Sequence, residues 1–305
     1  MRLPNFICVG AQKAGTSTLY HLLKQHPNIC LPKEKETHFF LNGSDKYDRG
    51  LAWYSNHFFN KCSQNSIVGE ISPGYIYMPY IPKRILKDIG KDIKLIFMLR
   101  NPIDRAYSGY LMTKRIAQEP LNFSEAILEE KNRISHSETY QKMYSYADRG
   151  FYAKQIEHYL QFFPIENMFF IIMETDLLAN TEKTLYDLCD FLDIPSYDFN
   201  TNVKHNPAKE PKNKMLMHFL YSENFMKLRK ILKYLLPSKK LRNQVKYMLN
   251  HINLKKIKKR VPIDDSTYTR LQNLFYEDIK QLETITGKEL SHWIKKRGGM
   301  NAKNH

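Results

Sequence analysis

The chain has 305 residues, 42% hydrophobic and 13% aromatic, which is enough apolar material for one large domain or two small ones and too much for a disordered tail. Its formal charge of +16 suggests a polyanionic or phosphorylated partner and bears on partners rather than on fold. The excess is local: Lys204 to Arg260 carries 17 Lys/Arg against Glu210 and Glu223, so this segment holds +15 and the remainder is near neutral.

In chain order, Phe6 to Val9 reads as a buried parallel strand, followed by a helix through Leu19, Leu22 and Leu23 that runs to about His26 before Pro27. A helix from Leu51 to Phe59 precedes a strand from Ile67 to Ile71. Ile93 to Leu99 is a third strand, with Pro102 opening a helix that continues through Tyr107, Tyr110 and Leu111. A helix at about Phe151 to Phe163, a strand at Met168 to Met173 and a helix at Thr181 to Leu192 complete the pattern. Strands alternating with helices predict an α/β fold: a parallel sheet flanked by helices, with ligands at the carboxyl ends of the strands.

Beyond Pro195 the composition changes. Residues 1–195 are expected to form the α/β core, 196–262 a basic helical insertion, and 263–305 a C-terminal helix and tail. Basic helices are predicted at about 213–236 and 239–252, then a helix at about 265–286 and a closing Trp293. The basic helices read as a solvated face, as a docking surface for an acidic acceptor, or as an interfacial membrane element. Phe219, Phe225, Leu228, Ile231, Leu232, Leu235 and Leu236 beside the lysines suggest the last of these.

Cys8, Cys30, Cys62 and Cys189 are scattered without a C-x-x-C pair, which predicts neither a disulfide framework nor a zinc site and fits a reducing compartment. Met1 to Asn5 leads straight into the first strand, leaving no room for a signal peptide, and no apolar stretch approaches the length of a membrane span. The expectation is a soluble, cytoplasmic protein. His21, His57, His158, His218 and His292 show no metal-ligand spacing, and no metal site is predicted.

The most informative stretch is Val9-Gly10-Ala11-Gln12-Lys13-Ala14-Gly15-Thr16-Ser17-Thr18, between a predicted strand and a predicted helix. Glycines let the backbone turn its N–H groups inward, and the start of the following helix attracts an anion. Gly10, Gly15 and Ser17 match the triphosphatase loop G-x-x-x-x-G-K-[ST], but Thr16 occupies the lysine position. Lys13, three residues earlier, supplies the ammonium instead, and the strand Leu95 to Leu99 ends in Arg100 rather than a magnesium-holding Asp. A phosphate cradle that needs no metal ion is the expectation.

The run Phe6 through Phe40 resembles the sulfotransferases that use 3′-phosphoadenosine 5′-phosphosulfate (PAPS), most closely the heparan-sulfate glucosaminyl N- and 3-O-sulfotransferase branch. The likeness rests on Ile7 to Leu19, His26-Pro27 and Glu36-Thr37-His38-Phe39-Phe40. It extends through Gly50 to Tyr54, Glu70 with Pro73 and Tyr75, Leu99 to Pro102 with Arg105 and Ser108, and Phe151 to Lys154. It implies a donor site in which Lys13, Ala14, Gly15, Thr16, Ser17 and Thr18 hold the 5′-phosphosulfate, and Arg100 and Ser108 grip the 3′-phosphate. PAP, 3′,5′-adenosine bisphosphate, would be the product.

The resemblance also makes Glu36 the catalytic base, which takes the proton of the attacking acceptor, and Lys13 the group that neutralises charge on the leaving side. Glu34 is a solvated rival, and His38 matches a sister branch in which histidine is the base. Glu70 is a candidate for orienting the acceptor or Lys13. Ile71 stands where the glucosaminyl branch has lysine, and the loop Lys204 to Lys212 lacks that branch's cysteines. Lys209 and Lys212 are candidates for closing over the nucleotide. The implied acceptor is a carbohydrate, with a small-molecule natural product as the alternative. An ATP-dependent kinase and a non-catalytic polyanion binder are the readings from other classes.

Overall fold

The computed structural model describes residues 1–43, 45–202, 209–221, 225, 238–256 and 261–294. Five strands, β1 (Phe6–Gly10), β2 (Ile29–Cys30), β3 (Ile67–Ile71), β4 (Lys94–Leu99) and β5 (Met168–Ile172), form one sheet in the order β2-β3-β1-β4-β5. Every pairing in it is parallel. All five residues of β1 are buried, as expected of a parallel strand covered on both faces. Phe6 pairs with Gly69, and a Cβ at Gly69 would lie 2.1 Å from Phe6 Cζ. The glycine thus makes room for the ring in the middle of the core.

Because β1 lies between β3 and β4, the chain leaves its carboxyl end toward one side of the sheet and later resumes on the other. This is a topological switch point, where open parallel sheets bind ligands. The connections are α1 (Thr16–Leu23), α2 (Gly50–Phe58), α3 (Ile81–Asp88), α4 (Pro102–Arg115), α5 (Phe123–Ile134), α6 (Glu138–Tyr144), α7 (Tyr152–Leu160) and α8 (Thr181–Phe191). The predicted strands and the helices that follow them are present. α1 stops three residues short of His26 because the N–H groups of Gln25 and His26 turn to carbonyls three residues back, at Leu22 and Leu23.

The chain forms two compact units. Met1–Arg105, Arg149–Lys204 and Gln272–His305 make the first, which holds the sheet; Ala106–Asp148 and His205–Leu271 make the second. In the first, Asp278 accepts hydrogen bonds from Ala153 N (3.1 Å) and Lys154 N (3.3 Å) in the first turn of α7. Burial pushes its carboxyl up to about 6. Trp293 is buried and faces Tyr152 at 6.3 Å between ring centroids.

In the second unit the buried Glu119 pairs with Arg133 at 2.9 Å and accepts from Tyr146 OH at 2.6 Å. The short antiparallel ribbon of β6 (Lys209–Pro211) and β7 (Leu254–Lys256) also belongs here. Of the basic helices, Lys214–Tyr221 and Lys239–Ile252 are described. The latter exposes Leu241, Tyr247, Met248 and Ile252. Leu228, Ile231, Leu232, Leu235 and Leu236 lie outside the described residues.

The cysteines depart from expectation. Cys30 and Cys62 form a disulfide with a sequence separation of 32. Cys30 is carried by β2, paired with β3 through Cys30 and Val68, while Cys62 follows α2 just before β3 begins. Strand pairing therefore brings together two residues that the sequence keeps apart. A structural disulfide belongs to an oxidising environment, so the expectation of a reducing compartment does not stand. Cys8 and Cys189 are buried free thiols, and burial pushes Cys8 up to about 12. Reduction, or Cys30→Ser, is expected to cost about 3.7 kcal/mol of stability, the loop-entropy value for a closure of this length. Urea denaturation checks this: the midpoint should fall under reductant, and an unchanged midpoint would contradict the bond.

Candidate active site

The turn after β1 is built around two residues in the left-handed region, Lys13 (φ 74°) and Gly15 (φ 90°). The positive φ at Gly15 favours glycine, and a Cβ there would also press on Leu177 Cδ2 at 2.9 Å. Ala11 N donates to Met98 O at 2.5 Å and Ile76 N to Val9 O at 2.8 Å, fixing the turn between β4 and the chain beyond β3. Gly15 caps α1 with no side-chain hydrogen bond. The first N–H groups of the helix, at Thr16 and Ser17, have no carbonyl one turn back inside the helix. Thr16 is buried and Ser17 exposed, with Ala14 packed inside and Thr18 half-buried. The result is a cradle of backbone donors suited to an anion.

Arg100, at the end of β4, donates from Nη1 to Lys13 O at 3.2 Å, which brings its guanidinium to the same turn. Its own carbonyl accepts from Tyr152 OH at 3.0 Å. The next residue, Asn101, accepts from the N–H groups of Ile103 and Asp104 at 3.0 and 3.3 Å, capping the start of α4. Ser108 lies half-buried on α4. Lys209 begins β6 opposite Lys256, and the exposed Lys212 donates its N–H to Asn253 O at 2.7 Å within the second unit.

The second half of the site is the segment 33–40. Glu36 is half-buried and ion-paired with Lys35 Nζ at 2.9 Å, and the same ammonium donates to Thr16 Oγ1 at 3.2 Å. A carboxylate and the anion cradle therefore share one cation. His38 Nε2 lies 3.6 Å from the other Glu36 oxygen. Burial lowers the His38 pKa and Lys46 and Lys35 add to that shift, while Glu36 and Glu70 oppose it. Glu34 is exposed.

Glu70 is fully buried at the end of β3. Thr37 Oγ1 donates to it at 2.5 Å, Ser72 Oγ at 2.6 Å, and Tyr54 OH donates to its second oxygen. Thr37 in turn receives Phe39 N at 3.2 Å, and Phe39 stacks on Tyr54 at 4.1 Å between centroids. Glu70 thus anchors the segment that presents Glu36 and His38. Burial, then the charge of Glu70, pushes the Tyr54 and Tyr75 phenols well up, so both remain protonated.

The sequence pointed to Lys13, Arg100, Glu36, His38 and Glu70, and all of these lie in the first unit at the carboxyl end of the sheet. It missed Lys35 and Tyr54. The alternation Lys33-Glu34-Lys35-Glu36 was read for its acids alone, and a cation beside the candidate base is the signal that would have found Lys35. Among the described residues no group of three or more His, Cys, Asp or Glu is arranged to hold a metal ion.

Residues 3–240 match the sulfotransferase domain family. The chain is 26% identical to the membrane-associated sulfotransferase kil1 of Dictyostelium discoideum, over 73% of this chain and 64% of that protein. It is 34% identical to human heparan sulfate glucosamine 3-O-sulfotransferase 3B1, over 68% of this chain and 50% of that one. The chain therefore spans less than two thirds of either curated relative. The crystal structure of a sulfotransferase from Alicyclobacillus acidocaldarius shares the fold with a TM-score of 0.70 at 25% identity, covering 97% of this chain and 100% of that chain.

The similarity to a membrane-associated protein overturns the expectation of a cytoplasmic one, as the disulfide had already overturned that of a reducing compartment. Among the described residues no helix is long and apolar enough to cross a membrane. A family match over most of the length, together with a full-length structural neighbour of the same kind, leads to one conclusion: this chain belongs to the sulfotransferase domain family.

Proposed function

We propose that the protein transfers a sulfonate group from PAPS to a hydroxyl or amine of a carbohydrate, releasing PAP. The observation that carries this reading is the bridge Thr16–Lys35–Glu36, which sets an anion cradle beside a carboxylate at 3.2 and 2.9 Å from one ammonium. Three features suit the cradle to the phosphosulfate: Gly15 gives the turn its left-handed φ, the first turn of α1 offers N–H groups, and Lys13 supplies charge. The donor brings an activated S–O bond whose leaving group is a phosphate.

Lys13 and the cradle stabilise the negative charge that builds on the leaving phosphate, a stabilisation that grows toward the transition state. Glu36 takes the proton of the attacking hydroxyl, with His38 beside it as the alternative base. Arg100 holds the 3′-phosphate through a bidentate fork. Glu70 fixes the segment on which the base rides.

For the acceptor, similarity to a heparan sulfate glucosamine 3-O-sulfotransferase favours a carbohydrate. The +15 of residues 204–260 suits an anionic one. A kinase reading is opposed by Thr16 in place of the phosphate-gripping lysine and by Arg100 where a magnesium-holding Asp would stand.

Lys13→Ala and Glu36→Gln are each expected to cut turnover by about a hundredfold or more with unfolding midpoints unchanged, measured with labelled PAPS and a panel of glycans and small hydroxylated or amine acceptors. Near-normal transfer by Glu36→Gln would move the base role to His38, whose lowered pKa leaves it neutral at pH 7 and able to accept a proton. Labelling of small acceptors alone would reassign the substrate class. In thermal-shift measurements PAP should stabilise the protein more than ADP with magnesium, and the reverse order would favour the kinase.

A further inference from the structure

We propose that Lys35 is a catalytic residue that grips the sulfonate itself while it passes from donor to acceptor; this rests on the donor reading above. Its ammonium lies 3.2 Å from Thr16 Oγ1 in the cradle and 2.9 Å from Glu36 Oε1, and its side chain is only 20% exposed.

In an in-line displacement the sulfur lies between the leaving phosphate and the attacking oxygen. The cradle holds the phosphate side, and the carboxylate that takes the proton marks the attacking side. An ammonium within hydrogen-bond reach of both is therefore beside the path of the sulfur, where the three remaining sulfonate oxygens spread out at the transition state. Lys13, by contrast, belongs to the turn and serves the leaving side.

Without a donor, the Lys35 charge is balanced by Glu36. An arriving sulfonate offers anionic oxygens to the same ammonium, and the exchange frees a Glu36 lone pair as it becomes needed. The acceptor oxygen then forms its bond to sulfur, the bond from sulfur to the bridging oxygen breaks, and that electron pair leaves on the phosphate of PAP. The acceptor proton goes to Glu36. Lys35 neither gains nor loses a proton or a bond; it holds charge that would otherwise repel the incoming nucleophile.

PAP lacks the sulfonate, so Lys35 should contribute to binding PAPS and not PAP. A purely structural link between Thr16 and Glu36 would show no such distinction. Acceptor-free calorimetry on the full chain tests this. The wild type is expected to prefer PAPS over PAP by about tenfold, the size of one charge-assisted hydrogen bond. Lys35→Met should abolish the preference while leaving PAP affinity within about threefold, a change smaller than the loss of such a bond would cause. Lys35→Arg, which keeps the cation, should restore most of the preference. With acceptor present, Lys35→Met should lower kcat with little change in the acceptor KM.

Equal weakening of PAP and PAPS in Lys35→Met would make the residue a support for the cradle and overturn the proposal. So would a preference that survives the substitution, or a wild type that binds the two nucleotides equally. A wild type that binds neither nucleotide would remove the donor reading and this role with it, whereas binding of both with an intact preference in Lys35→Met removes the Lys35 role alone.

Discussion

A carboxylate with no exposure to water, Glu70, is the constraint around which the site is arranged. An unpaired charge in such a place is costly, so its acceptor positions must be filled by donors. Thr37 arrives from the segment that carries Glu36, Tyr54 from α2, and Ser72 from the residues just beyond β3. Each charge-assisted bond is worth about 1.5–3 kcal/mol. Satisfying one buried charge thereby ties a loop and a helix to the sheet, and the loop cannot drift without leaving that charge short of a partner. Because the Tyr54 and Tyr75 phenols are held well above their ordinary pKa, the network consists of neutral donors around one anion.

The other side of the site is fixed by backbone rather than by charge. β1 lies at the centre of a parallel sheet, and the turn after it is pinned by Met98 O on β4 and by the chain beyond β3. Left-handed conformations at Lys13 and Gly15 shape the turn, and α1 follows with first N–H groups that no side chain caps. Arg100 reaches this turn because β4 is the next strand, one step across the sheet. Cations thus collect at the cradle while the carboxylates collect on the segment 36–70, and Lys35 touches both groups. Separated charge of this kind suits a reaction in which an anion leaves from one side and a proton departs on the other.

Much of this was legible along the chain. The mainly apolar runs at Phe6, Ile93 and Met168 announced three of the five strands, because a strand buried on both faces is largely apolar, and the shorter Ile67–Ile71 could be placed as a fourth although it carries Glu70. The glycines and Lys13 announced the cradle, and Arg100 could be placed because a strand end is easily located. β2 escaped notice: a two-residue strand has no periodicity to read. α5 was also missed, although its capping box of Asn122 and Glu125 is written in the sequence. The disulfide was invisible for a different reason, since Cys30 and Cys62 become neighbours only after β2 pairs with β3. The environment inferred from cysteine spacing failed with it.

The sequence by itself determined what is local: the alternation of strand and helix, the glycine turn that can bind an anion, and the arginine at the following strand end. Each of these depends on residues within a few positions of one another, where hydrophobic period and backbone sterics act directly. Tertiary structure alone decided which carboxylate would be buried and which presented, and that Lys35 would join Thr16 to Glu36 across 19 residues. It alone decided that two distant cysteines would bond. Those outcomes depend on how strands are ordered in the sheet, because desolvation and hydrogen-bond partnership are set by what packs against a group and not by what precedes it in the chain.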